Sequence, residues 1–208
     1  MITSRIRTVA VLLAVAVVPV TAAACGSGGG SATSAASSTT TEAPTTTAAP
    51  TTTTTVDPGT LPQTDQKPTA SGAGFDARMN ALANAIITND PSGAMPSFFP
   101  VTAYKQVKAL PDPASDWQTR LVGAFKTDIA KANAQLGRNA ASAKFLGVRV
   151  PDTATWVKPG EEYNVGPYWR VYKSQMDFAV DGRTVSIPIE SMISWRGQWY
   201  VVHLGAIR

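Results

Sequence analysis

The sequence predicts an α+β domain, with about three helices packed on a curved antiparallel sheet of about four strands. Two observations carry this. An apolar stripe at helical spacing ends at Gly137, and beyond it apolar residues alternate with polar ones. Two turn signals, Asp181-Gly182 and Gly197-Gln198, then divide the C-terminal stretch into consecutive hairpin strands. Helices first and a meander afterwards is the order of a two-layer α+β domain.

The elements follow in order. Phe75, Met79, Leu82 and Ile86 step by four, three and four, one face of a first helix that ends near Asn89-Asp90-Pro91. A turn-rich stretch, Ser92 to Pro100, leads to a second helical piece with Tyr104, Val107 and Lys108. The third helix opens on a capping box from Ser115 to Gln118, carries the stripe Trp117, Leu121, Phe125, Ile129, Ala132 and Leu136, and closes at Gly137. Lys144 to Val150 reads as a first strand, followed by a Pro- and Gly-containing excursion from Pro151 to Pro167. Tyr168 to Val180, Thr184 to Arg196 and Trp199 to Ile207 read as the next three. In the middle one Val185, Ile187, Ile189, Ile193 and Trp195 share one face, and Ser186, Glu190, Ser194 and Arg196 the other.

The first third of the chain has a different character. Residues 1–24 have the order of a secretory signal peptide: Arg5 and Arg7, an apolar run from Val9 to Val20, then Ala22, Ala23 and Ala24. The run is shorter than the ~20 residues that cross a bilayer as a helix. Cys25 is the only cysteine and stands directly behind the small residues, with Gly26 after it. This arrangement resembles the bacterial lipobox, with Ala22 where that family usually has Leu. The resemblance implies a Cys25 that is acylated and becomes the first residue of a lipoprotein anchored on the outer face of the cell membrane. Residues 25–74 are rich in Thr, Pro, Ser and Gly and carry too little apolar surface to offset backbone ordering, which predicts a disordered stalk before a globular domain at 75–208. Such a signal and stalk look like those of actinobacterial, mycobacterial-type lipoproteins.

The element order, and the closing hairpin Trp195-Arg196-Gly197-Gln198-Trp199, resemble the cystatin-like cone of ketosteroid isomerase and many accessory domains. That resemblance implies a sheet wrapped around a long helix with a pocket at its open end, and it covers both enzymes and binding modules.

Chemical signatures are few. His203 is the only histidine and Cys25 lies outside the domain, so no metal-spaced His/Cys set and no serine triad is present. There is no phosphate-cradling glycine loop, and no cofactor is expected. The net charge of +4 comes from scattered residues without clustered aromatics, a poor match to nucleic acid. Lys105, Lys108, Arg120, Lys126 and Lys131 read as solvated helix faces. Asp177 and Tyr172 fall on opposite faces of one strand, so the isomerase site does not carry over. Strand parity sets His203 beside Val201 and Trp199, where a packed histidine is a commoner outcome than a general base. Glu161 and Glu162 are adjacent in a loop and point apart.

The candidate binding surface is the aromatic stretch from Trp156 to Trp169, with Trp156, Tyr163, Tyr168 and Trp169, together with Arg170, Tyr172 and His203 on the sheet. The sequence therefore predicts a lipid-anchored, non-catalytic module for a hydrophobic small molecule or an envelope protein. A small enzyme using His203 and an assembly module pairing through its sheet are the alternatives.

Overall fold

A computed structural model of the chain describes residues 56–207, so the signal segment, Cys25 and the stalk up to residue 55 lie outside the described residues. The described chain is α+β: helices packed with an open antiparallel sheet of five strands.

Helix α1 (Ala73–Thr88) ends at Asn89, which takes a left-handed conformation with φ 53°. Asn and Gly are the residues that tolerate this turn at a helix end. Helix α2 (Val101–Val107) follows. The third helical stretch is continuous in three parts: α3 (Pro113–Asp116), a π-helical segment (Trp117–Leu121) and α4 (Val122–Leu136). Its cap is Asp112, whose Oδ1 accepts from the Ser115 N–H at 2.9 Å. This corrects the expected capping box, because Pro113 at the first helical position draws the start of the helix two residues upstream of Ser115.

The strands are β1 (Lys144–Arg149), β2 (Thr155–Val157), β3 (Tyr168–Val180), β4 (Arg183–Trp195) and β5 (Gln198–His203). The sheet order is β1-β3-β4-β5, and β2 adds to the same side of β3 as a short extra strand inside the expected excursion. Both hairpins turn through paired positive-φ residues, Asp181 and Gly182, then Arg196 and Gly197. Positive φ at both central residues is the turn whose twist matches that of the strands.

The core lies between the helices and one sheet face. Phe75, Met79, Leu82 and Ile86 of α1 and Phe125, Ile129 and Leu136 of α4 are buried in one cluster with Met176, Phe178, Ile187 and Ile189 of the sheet. Burying each such side chain contributes about 1.5–3 kcal/mol. Away from this cluster β3 and β4 carry polar pairs. Asp177 stands opposite Ser186, accepts from its hydroxyl and pairs with Arg149 at 2.8 Å, and Lys173 pairs with Glu190.

The globular domain begins earlier than the expected residue 75. Residues 56–74 form a strap tied to the sheet. Trp195 Nε1 donates to the Pro58 carbonyl at 2.8 Å, and Trp169 Nε1 donates to that of Asp65 at 2.8 Å. Gln63 donates to the Ser194 carbonyl at 2.9 Å and accepts from the Arg196 N–H at 2.7 Å. Ser194, expected on the polar face, is fully buried at this strapped end, and its hydroxyl accepts from the Trp169 N–H.

The last strand also departs from simple alternation. Ser191 pairs with His203 but Met192 pairs with Val201, so Val202 is an extra residue in β5. A bulge of this kind changes which face the following side chains occupy. The outer edge of β5 is not open, because the Phe99 N–H donates to the Val201 carbonyl at 3.0 Å.

Candidate functional site

A cavity of about 400 Å³ opens between α2, the π-helical segment, the loop before β3 and the sheet. Volumes of this order enclose small-molecule ligands.

Each wall has a local cause. Tyr104 and Lys108, four residues apart, present one face of α2 and its C-cap. The π-helical segment brings Arg120 and Leu121 to the cavity, with Arg120 Nη2 donating to the Tyr104 hydroxyl at 3.2 Å. Single π turns inside helices often coincide with functional sites. Tyr168, Arg170 and Tyr172 alternate along β3 and so share a face. Directly paired residues of neighbouring strands also share a face. Tyr172 pairs with Ser191, Ser191 with His203, and Arg170 with Ile193. A polar row, Tyr172–Ser191–His203, therefore crosses three strands on the cavity floor.

The loop over the mouth is pinned by Asn164, which is 2 % exposed. Its Nδ2 donates to the carbonyls of Lys158 (3.0 Å) and Gly166 (2.8 Å), while its Oδ1 accepts from the Glu162 N–H at 2.8 Å. Main-chain bonds then staple the loop to the end of α2: Val165 N–H to the Val107 carbonyl and Ala109 N–H to the Tyr163 carbonyl. This loop carries Glu162 and Tyr163 into the cavity wall.

Charges are arranged in two groups. Arg120 grips Asp116 with two hydrogen bonds, 2.7 and 2.6 Å, and the Tyr104 hydroxyl donates to the same carboxylate at 2.6 Å. Arg120 holds the Asp116 carboxyl below the usual range, and burial, then the Asp116 hydrogen bond, pushes the Tyr104 phenol up. In the second group Arg170 forms an ion pair with Glu162 and lies over the Tyr172 ring, 4.4 Å from its centre. The Tyr168 hydroxyl donates to Glu162 at 2.7 Å, and burial raises that phenol as well. Both tyrosines therefore remain neutral hydroxyl groups.

Lys108 belongs to neither ion pair. Its Nζ donates to the Glu162 carbonyl at 3.1 Å and to the Tyr168 hydroxyl at 3.4 Å, and it stands 5.5 Å from the Tyr168 ring centre. Burial lowers its pKa, with Arg120 adding to the shift and Asp116 opposing it. The remaining wall is apolar: Leu110, Leu121, Ile193, Val202 and Ile207.

Of the residues singled out in the sequence, Tyr163, Tyr168, Arg170, Tyr172 and His203 line this cavity. Trp156 and Trp169 do not. They are cross-strand partners on β2 and β3 with ring centres 5.4 Å apart, and Trp169 also carries Lys67 over its ring. His203 reaches the cavity because of the Val202 bulge, which breaks the parity that set it with Val201, and its Nδ1 is 2.8 Å from the Ser191 hydroxyl. Lys108 and Arg120, read as solvated helix charges, are cavity residues, and so is Glu162. Glu161 and Glu162 do diverge: Glu161 accepts from the Lys158 N–H, away from the Glu162 ion pair. An i,i+4 Asp116–Arg120 pair was visible in the sequence, but nothing marked it as a cavity wall. Among the described residues no cluster of metal-ligating side chains occurs, and no helix is long and apolar enough to cross a membrane.

Compared with protein-family models, curated proteins and solved structures, the chain matches none of them.

Proposed function

We propose that this chain is a lipid-anchored envelope protein whose folded domain binds a hydrophobic small molecule in the cavity between its helices and its sheet. The cavity itself carries the reading: about 400 Å³, apolar over much of its wall and edged by a few fixed polar groups, the usual make-up of a ligand site. The cystatin-like resemblance of the sequence, in which such pockets recur, points the same way. The anchor rests on Cys25 and the segment before it. Two experiments test the two halves. Ile193→Trp should fill the cavity and abolish binding of an apolar probe while leaving thermal unfolding within a few degrees of the parent. Metabolic labelling with an acyl analogue should mark the parent chain and not Cys25→Ser; equal labelling would defeat the anchor.

The assembly reading has less support, because the Arg149–Asp177 and Lys173–Glu190 pairs make the nearby strand surface polar and charged. The enzyme reading has one observation in its favour, the Ser191–His203 contact on the cavity wall. A His203→Gln chain that folds and fully complements a deletion would end it.

A further inference from the structure

We propose that the ligand is a single-chain amphiphile with one negative charge, its acid group held by Lys108 and its apolar body lying against Leu110, Leu121, Ile193 and Val202. This rests on the cavity-binding reading above and narrows it to a chemical class.

The cavity holds one more cationic side chain than its carboxylate partners neutralise. Three cations line the cavity, Lys108, Arg120 and Arg170. Two of them already have carboxylate partners, Arg120 with Asp116 and Arg170 with Glu162. One positive charge is left over, and it sits on Lys108. Among the described residues Lys108 makes no ion pair; its two acceptors are the Glu162 carbonyl and the Tyr168 hydroxyl, both uncharged. An ammonium group has three N–H donors, so one remains for a ligand.

Partial burial makes that charge matter. Burial moves the Lys108 pKa down, which means that the charged amine lacks compensation where it stands. A carboxylate beside it supplies the missing charge and forms a charge-assisted hydrogen bond, about twice as strong as a neutral one. A neutral alcohol of the same length gains the apolar contacts alone, and a quaternary amine meets an uncompensated like charge. The volume suits one chain rather than a diacyl lipid, since about 400 Å³ is near the lower end for ligand cavities. Tyr163, 83 % exposed, and Ile207, 56 % exposed, give the cavity an apolar rim over which a chain can emerge.

The test is isothermal titration of the whole chain carrying Cys25→Ser, so that no acyl group of its own competes. Dodecanoate, 1-dodecanol and dodecyltrimethylammonium are compared below their aggregation limits. Dodecanoate is expected to bind at least about tenfold more tightly than dodecanol, with the cation weakest. Lys108→Met should cost dodecanoate about tenfold and leave dodecanol within about twofold, whereas Lys108→Arg should keep the preference for the acid. Equal affinity for acid and alcohol in the parent chain overturns the proposal, as does a Lys108→Met chain that still prefers the acid. Dodecanol binding without acid preference overturns this proposal and leaves the cavity-binding reading standing. Failure of all three to bind removes the cavity-binding reading with it.

Discussion

Asn164→Asp is the sharpest perturbation of the cavity, because it changes one buried atom and almost no volume. In the native loop the Asn164 amide donates to two carbonyls, those of Lys158 and Gly166, at 3.0 and 2.8 Å. A carboxylate in the same place has no donor, so three oxygens face one another in a residue that is 2 % exposed. The Lys158 carbonyl keeps the Glu161 N–H at 3.3 Å, but the Gly166 carbonyl and the new oxygen are both left unsatisfied, and at about 1–3 kcal/mol each the penalty is ~2–6 kcal/mol before charge burial is added. The bond from the Glu162 N–H survives, since a carboxylate oxygen still accepts it.

The penalty should also depend on pH, with a definite sign. Burial and two facing carbonyls disfavour the charged form, so the new carboxyl has a higher pKa in the folded state than its unfolded ~3.9. The unfolded chain then holds fewer protons than the folded one above that value, and stability falls as pH rises. Urea unfolding at pH 4 and pH 7 should show the variant closer to the parent at the lower pH. Hydrogen exchange should rise in peptides spanning 158–168 and 104–110, because the loop is stapled to α2. An unfolding free energy within about 0.5 kcal/mol of the parent at pH 7, with unchanged exchange, would refute the claim that Asn164 holds the cavity roof.

Four further outcomes follow from the geometry. A Cβ on Gly59 would lie 2.0 Å from Thr102 Oγ1 and 2.9 Å from the Ala103 nitrogen, so Gly59→Ala should destabilise the chain by about 1–3 kcal/mol. In the same urea experiment, a chain beginning at residue 75 should unfold earlier than one beginning at 56, and equal midpoints would return residues 56–74 to the linker. Asp116 has its pKa depressed by Arg120, so its contribution is present above the unfolded value and is lost as pH falls through the folded one. Asp116→Asn should therefore flatten the loss of urea resistance below about pH 4, and parallel curves would contradict that. The Ser174 hydroxyl is fully buried with no hydrogen-bond partner among the described residues, so Ser174→Ala should raise stability by ~1 kcal/mol, read as an upward shift in Tm.

The elements that were legible in the sequence bury side chains at a regular period. The stripe from Trp117 to Leu136 and the Asp181-Gly182 turn announce themselves, because burial and positive φ each select residue types. The strap at 56–74 uses another currency. Its anchors are the carbonyls of Pro58 and Asp65 and the amide of Gln63, so the composition resembles a linker and no periodicity marks it. Lys108 and Arg120 have the spacing of surface charges. What turns their face into a cavity wall is a loop more than forty residues away in sequence, pinned by the Asn164 side chain and stapled to α2 by main-chain bonds that leave no trace in residue identity. The alternation of Tyr168, Arg170 and Tyr172 could be read directly. The position of His203 could not, since one unpaired residue at Val202 cancels the parity on which such a reading depends.

The charged groups of the cavity, unlike its apolar wall, stand apart from the core. The core is closed by α1 and α4 over Met176, Phe178, Ile187 and Ile189, and the same cluster runs on to the cavity at the other end of β3 and β4, where Tyr104, Leu121, Tyr168, Ile193 and Val202 belong to both. The charged groups at the cavity are held by partners within it: Asp116 by Arg120, Glu162 by Arg170, and Lys108 by the loop carbonyl beneath it. Changing one of them alters the charge offered to a ligand without opening the main hydrophobic cluster. The loop that completes the cavity depends on Asn164 and a few main-chain bonds to α2, a far smaller commitment than the core beneath. A region held by few buried apolar contacts opens at lower free energy than the rest of a domain. The loop at 158–166 should therefore open more readily than the sheet beneath it.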